Sequence, residues 1–451
     1  MSATTSRAQW VRRTLTVLAM LFGLTTAWAS AQSAPTFISL GPAEAALYKP
    51  DSGPAPHVAL VVVHRTADFM RHPACAQLAQ RGFLMLCVNT RYTNNEELVR
   101  FEEMALDVKA AIAFLRKQPG ITKVLLFGHS GGGPTVSFYQ AVAENGIGYC
   151  TNPKRLVKCT DTLANLPPAD GIVFADSHPG NPVNVLRGLN PAVLNEHDPP
   201  DAGFDPALDP FDPKNGYNPG GVSHYSADFQ RRYFAAQSKR MNDIIDRSLA
   251  KLEAMKNGTY GFPDDDLIVI PRGGNPGSGP GASAGLFMLD PSIAGVMSTV
   301  RPEKLLRNDG SIVRQVVHSV YVPDPKLKAL HYTFDNGTKI LSIRSFLSAN
   351  AVRSTNALDG IDDCSSNNST TCAVQSIAVP ELFAAMGAHY FVRDVEREYD
   401  LASSKDKDYI VIEGSTHVFT PCTACETTPG QYSNVMKNLM DYIRDWINKR
   451  Y

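Results

Sequence analysis

Residues 128–132 read Gly-His-Ser-Gly-Gly, and a further glycine follows at Gly133. A serine set between glycines at this spacing suits nucleophilic chemistry. Small neighbours let the chain turn sharply enough to lift the Ser130 hydroxyl clear, and they leave the next amide free to bind an oxyanion. Such a serine needs a base, and a histidine base needs a carboxylate to orient it. His417 stands in Gly414-Ser415-Thr416-His417, directly after the run 409–413 (YIVIE). Asp176 stands in Ala175-Asp176-Ser177-His178-Pro179-Gly180, directly after the apolar run 171–175 (GIVFA). Asp394 and Glu396 are the other carboxylates in question.

A serine in this role requires a buried strand before it and a helix after it. The run 123–127 (KVLLF) supplies the strand. Val136, Tyr139 and Val142 recur at helical spacing within 134–143. Upstream, the apolar runs 57–63 (HVALVVV) and 83–88 (FLMLCV) predict strands buried on both faces, with 171–175 as a fourth. Helices are predicted between them at 73–80 and 101–115, the second carrying Met104, Val108, Ile112 and Leu115 and stopped by Pro119-Gly120. This alternation predicts an α/β fold with a doubly wound, mostly parallel sheet.

The pattern lapses over 181–375, which is rich in Pro, Asp, Gly and Asn. One strong amphipathic helix is predicted there, over 227–255, with Phe229, Tyr233, Met241 and Ile244 on its apolar side. That face packs onto the core or lids an apolar cleft. A flexible stretch is expected at 273–281 (GGNPGSGPG), and short strands at 320–322 and 339–343. Regular patterning returns at 380–386 (PELFAAM), with a helix near 395–402, a strand over 408–413 and a last helix carrying Val435, Leu439, Ile443 and Trp446. The simplest division is a signal peptide over 1–31, a core over 32–180, a cap or lid insertion over 181–375, and the rest of the core over 376–451.

The run GHSGGG in this setting resembles the α/β-hydrolase family, over about 150 residues before the insertion and about 75 after it. The resemblance implies active-site loops at the strand C-termini and the chain order nucleophile, acid, histidine. Ser130 and His417 fill the outer roles. The family's usual acid follows the penultimate strand in a G-x-x-D pattern, but Gly387-Ala388-His389-Tyr390 has tyrosine there. Lipases of the pancreatic type carry the acid after an earlier strand, also in an Asp-then-Pro context. Asp176 is therefore the expected acid, with Asp394 and Glu396 as alternatives. His389-Tyr390 is expected to pack at a strand end, with lining the pocket or orienting His417 as the alternative.

For the oxyanion hole, Gly131 is expected to give one amide. The other is expected from the loop after 57–63, where the family often has His-Gly and this chain has His64-Arg65-Thr66, so from Arg65 or Thr66. The Arg65 side chain either meets an anionic substrate group or forms a salt bridge. The implied function is a serine hydrolase (carboxylesterase- or lipase-like) that cleaves a carboxylic ester through an acyl-enzyme. Amidases, lactonases and polyester hydrolases use the same parts, and a non-catalytic binding protein on this fold is the alternative from another class. The expected partner is a small-molecule or polymeric acyl substrate, with no cofactor and no metal.

Composition narrows the remainder. The chain has 451 residues, and 43% hydrophobic with 19% charged content fits a globular protein better than a disordered or polytopic one. A net charge of −1 without a dense Lys/Arg block leaves no footprint for nucleic acid. Arg7, Arg12 and Arg13, the apolar stretch 15–27 and Ala29-Ser30-Ala31 read as a secretory signal peptide, with Gln32 as the mature start. Cleavage removes three arginines and no acids, which takes the net charge to about −4. The expectation is a secreted or periplasmic protein, without stable membrane insertion after cleavage. In an oxidising compartment the eight cysteines should pair, and they fall into the neighbours Cys75/Cys87, Cys150/Cys159, Cys364/Cys372 and Cys422/Cys425. Cys422-Thr423-Ala424-Cys425 is read as a loop-pinning disulfide rather than a redox or metal motif. The acidic runs 205–212 and 264–266 lack the spacing of a calcium loop and are read as turn formers.

Overall fold

The computed structural model describes residues 33–196, 203, 205–270, 285–321 and 339–451. The expected signal peptide and the stretch 273–281 lie outside them. In chain order the strands are β1 (Thr36–Ser39), β2 (Glu44–Tyr48), β3 (Val58–Val63), β4 (Leu84–Asn89), β5 (Lys123–His129), β6 (Gly171–Ala175), β7 (Leu267–Ile270), β8 (Glu303–Leu306), β9 (Ile312–Gln315), β10 (Lys339–Ser342), β11 (Ser354–Asn356), β12 (Gly360–Ile361), β13 (Glu381–Met386) and β14 (Lys407–Ile412). Ten of them form one sheet in the order β1-β2-β4-β3-β5-β6-β13-β14-β8-β9. From β4 to β8 the neighbours run parallel, while β1, β2 and β9 close the two edges antiparallel.

The apolar runs become strands because both faces of the sheet are covered. Along β3, Ala59, Val61 and Val63 enter one core and Val58, Leu60 and Val62 the other. This is the period-two alternation of a strand with no wet face. Helices Met104–Leu115, Gly132–Asn145 and Val392–Leu401 cover the first face, and helices Pro73–Ala79 and Val435–Asn448 cover the second.

The structure differs from the sequence expectation at the sheet edges. The stretches TFIS and EAALY become β1 and β2, although each is too short to show a clear period. Within 181–375, β8 pairs with β14 and β9 with β8, so part of that interval extends the main sheet. Residues 339–342 do form a strand, paired with β7, but Val320 and Tyr321 lie outside any strand. Helix Ala227–Lys256 turns Phe229, Tyr233, Met241 and Ile244 into the first core. The four neighbouring cysteine pairs are all disulfides. The acidic side chains of Asp205, Asp209 and Asp212 each accept the amide two residues on, as turn-forming aspartates do. Among the described residues, no helix is long and apolar enough to cross a membrane.

Candidate active site

Strands β5, β6, β13 and β14 lie close together in the sheet, and the loops leaving their C-terminal ends gather the chemistry. Ser130 occupies the turn between β5 and helix Gly132–Asn145. Its φ is +55°, a left-handed conformation rare for a residue with a side chain. The Ser130 amide donates to the Ala175 carbonyl at 3.3 Å, and its carbonyl accepts from Gly133 at 3.0 Å. A side chain at Gly132 would place its Cβ 2.2 Å from the Val63 carbonyl oxygen, so the helix can start this close to β3 only with glycine there. Asp176, just past β6, is the second left-handed non-glycine residue of the site, at φ +47°.

A strand, a left-handed serine and a helix, standing next to the middle of an eight-strand stretch ordered β2-β4-β3-β5-β6-β13-β14-β8, decide the architecture. The fold is that of an α/β-hydrolase. No family model and no curated protein matches the chain. Among solved structures similar to it are DcsB in complex with its substrate analogue (10% identity over 91% of this chain and 95% of that one, TM-score 0.42). Est1E from Butyrivibrio proteoclasticus is similar at 11% identity over 92% and 100% of the two chains, TM-score 0.38. Brefeldin A esterase, a bacterial homologue of human hormone sensitive lipase, is similar at 12% over 92% and 77%, TM-score 0.39.

In this α/β-hydrolase fold Asp176 is fully buried and meets His417, whose Nδ1 lies 2.6 Å from Asp176 Oδ2. The other carboxylate oxygen accepts the Met386 amide at 3.1 Å. Burial by itself would raise the Asp176 pKa, but the His389 and His417 imidazoles beside it hold it down at about 2. The carboxylate therefore fixes the His417 proton on Nδ1 and leaves Nε2 as the acceptor. The alternative acids are committed elsewhere. Asp394 forms a buried ion pair with Arg187 at 2.9 Å, and Glu396 accepts the Val300 amide and pairs with Arg393.

His389 takes the less expected of its two readings. It does stand at the end of β13, but its Nδ1 lies 2.6 Å from the same Asp176 oxygen, and its ring stacks on His417 with centroids 4.3 Å apart. The loop where the family usually carries its acid thus delivers an imidazole to an acid from the preceding strand of the sheet. Asp176, His389 and His417 also make a possible trio of metal ligands. Both nitrogens sit 2.6 Å from a single oxygen, however, a hydrogen-bond spacing shorter than the separation of ligands around an ion with bonds of about 2.0–2.2 Å.

Six of the eleven histidines, His64, His72, His129, His178, His389 and His417, gather around Ser130 and Gly131, a concentration that no linear motif displays because their positions run from 64 to 417. His129 Nε2 donates to the His417 carbonyl at 2.8 Å. Its Nδ1 is then an acceptor, 3.0 Å from His72 Nε2, and His72 Nδ1 accepts the Ala74 amide at 3.3 Å. One consistent set of tautomers runs through this relay and ends on the His417 backbone. Burial, with His417 adding to it, lowers the His72 pKa to about 3 and takes His129 well below its ordinary value, so both rings are neutral.

The Thr66 amide, one of the two expected oxyanion donors, donates to His64 Nδ1 at 3.0 Å, as Ala67 does at 2.8 Å. The amides of Arg65 and Gly131 have no acceptor among the described residues. The Arg65 side chain is buried and paired with Glu96 through two bonds of 2.5 and 2.9 Å, the salt-bridged outcome of the two foreseen. A cavity of about 590 Å³ lies elsewhere, against the C-terminal helix, where Lys304, Asp408 and Tyr442 bond one another; it shares no residue with this site.

Proposed function

We propose that the protein is an exported serine hydrolase that cleaves carboxylic esters through an acyl-enzyme. The observation that carries the reading is the contact between His417 and a buried, ionised Asp176 in the loops beside a left-handed serine. Ser130 Oγ attacks the substrate carbonyl carbon, and its proton passes to His417 Nε2. The carbonyl electron pair moves to oxygen, where the Arg65 and Gly131 amides receive it. As the tetrahedral carbon collapses, the ester bond breaks and His417 returns the proton to the leaving alkoxide. Water then repeats the cycle on the acyl-serine. No cofactor enters these steps.

Export rests on the amino-terminal signal pattern, and four disulfides favour an oxidising compartment. Purified protein is expected to hydrolyse chromogenic esters of graded acyl length, and Ser130→Ala to abolish the activity at unchanged folding. Hydrolysis that survives in Ser130→Ala, or none in folded wild type with any acyl length, overturns the reading. Amino-terminal sequencing of protein recovered outside the cytoplasm is expected to begin at Gln32; a retained Met1 there refutes the signal assignment.

A further inference from the structure

Gly131 is hemmed in by two imidazoles. A Cβ on it would stand 2.7 Å from His64 Nε2 and 3.2 Å from His178 Nε2. The missing side chain therefore lets two ring nitrogens close in on the residue whose amide is proposed to bind the oxyanion. The His64 tautomer is set by its own loop. Its Nδ1 accepts two backbone amides, from Thr66 and Ala67, so in the neutral ring the proton must sit on Nε2. Burial and then the Arg65 charge push the His64 pKa well below its ordinary value, which keeps the ring neutral at working pH. Nε2 has no hydrogen-bond partner among the described residues, and the residue keeps partial exposure. His64 is thus a fixed N–H donor aimed beside Gly131, and it cannot act as a base at Nε2.

Resting on the ester-cleaving reading, we propose that His64 is a further catalytic residue, whose Nε2–H donates to the substrate oxygen as it becomes an oxyanion. No proton is transferred in this contact. The Ser130 Oγ–carbon bond forms, the carbonyl π pair moves to oxygen, and the imidazole N–H holds that charge until the pair returns and the leaving group departs. His178 Nε2 approaches Gly131 as well. Burial and the Arg65 charge lower its pKa to about 3, so it too is neutral there. A neutral donor serves this task well, because it favours developing negative charge without binding substrate anions beforehand.

Two substitutions separate catalysis from loop structure. His64→Asn keeps an acceptor near the Nδ1 position for the Thr66 and Ala67 amides and removes the Nε2 donor. His64→Gln places a donor near Nε2 and loses the acceptor at Nδ1. With a chromogenic acetate ester, His64→Asn is expected to lower kcat by about 10²-fold with KM nearly constant, and His64→Gln to recover part of that loss. A kcat for His64→Asn within about 3-fold of wild type overturns the inference, as does a loss in both variants that follows thermal stability. If His64→Asn does not fold, ¹⁵N-histidine spectra of the wild type serve instead: the His64 Nε2–H resonance must move when Ser130 is phosphonylated, and an unmoved resonance refutes the donor role. Wild type that neither hydrolyses ester nor reacts with a phosphonate overturns the parent reading. Active wild type with an indifferent His64→Asn overturns this inference alone.

Discussion

His417 and His389 share one carboxylate oxygen: each presents Nδ1 at 2.6 Å from Asp176 Oδ2, and their rings stack. One acid therefore serves two imidazoles, supplied by the loops after two adjacent strands. Asp176→Asn would present an amide in place of the carboxylate and remove the charge that fixes the His417 tautomer. It is expected to reduce kcat by about 10³- to 10⁴-fold. Asp394→Asn is expected to lower stability through Arg187 but to retain most activity per folded molecule. Steady-state kinetics on both variants decide it, and an active Asp176→Asn beside an inactive, folded Asp394→Asn would reverse the assignment.

The low pKa of Asp176 carries a stability prediction. Its folded pKa, about 2, lies below the unfolded value of about 3.9, so its contribution is complete above the unfolded value and is lost as pH falls toward 2. Wild type is expected to lose stability relative to Asp176→Asn across that window. Denaturant titrations of both proteins from about pH 5 down to pH 3 measure the difference. A gap that stays constant would mean that the carboxylate is not held down.

His72 titrates with the same sign in a different window. Its folded pKa of about 3 lies below the unfolded histidine value of about 6.5, so its neutral form supports folding above 6.5 and that support fades as pH drops. Buried Glu381 and Glu398, pushed well above their ordinary range, act in the opposite direction, so the wild-type curve alone is uninformative. His72→Phe places a ring among Phe69, Phe127 and Phe419 and removes the His72 titration together with its bonds to His129 and the Ala74 amide, whose loss offsets the curve without following pH through this window. Its melting temperature is expected to gain on wild type between pH 7 and pH 5, and a parallel course would contradict the assignment.

The relay from His72 through His129 ends on the His417 carbonyl and holds His417, the proposed base, from behind. His129→Leu removes both contacts while leaving Ser130, Asp176 and His417 in the chain. A fall in kcat on the order of 10- to 100-fold is expected, with KM changed little. Unaltered kcat in folded protein would show that the loop is fixed by other contacts, such as the bond from Cys422 to the Gly414 carbonyl.

Gly131→Ala would drive a methyl group to 2.7 Å from His64 Nε2. Because the conflict is with imidazoles at the site, the expected result is a large loss of kcat with a modest loss of stability, on the order of 1–3 kcal/mol. Ester kinetics together with thermal unfolding distinguish this from a general folding defect, in which activity per folded molecule would be kept.

The parallel core was legible because its strands are buried on both faces, which writes them as unbroken apolar runs such as VALVVV. The turn at Ser130 was legible because Gly132 meets the Val63 backbone and admits nothing larger. The edges were not: β1, β2, β8 and β9 are four or five residues long, and the pairs β1-β2 and β8-β9 join the sheet only through β4 and β14, far along the chain. His389 and His64 could be noticed in sequence but not placed, for another reason. Their roles follow from which loops the sheet order brings together, and a lone histidine carries no mark of that in sequence. The neighbouring cysteine pairs were readable because each closes a short local loop.

The central claim, that Ser130 is a nucleophile served by His417 and Asp176, is tested most directly by peptide mass spectrometry after reaction with a fluorophosphonate. One adduct is predicted, on the peptide containing Ser130, formed far more slowly in Asp176→Asn and absent in Ser130→Ala. Folded wild-type protein that takes up no adduct, or takes it up on another residue, would contradict it.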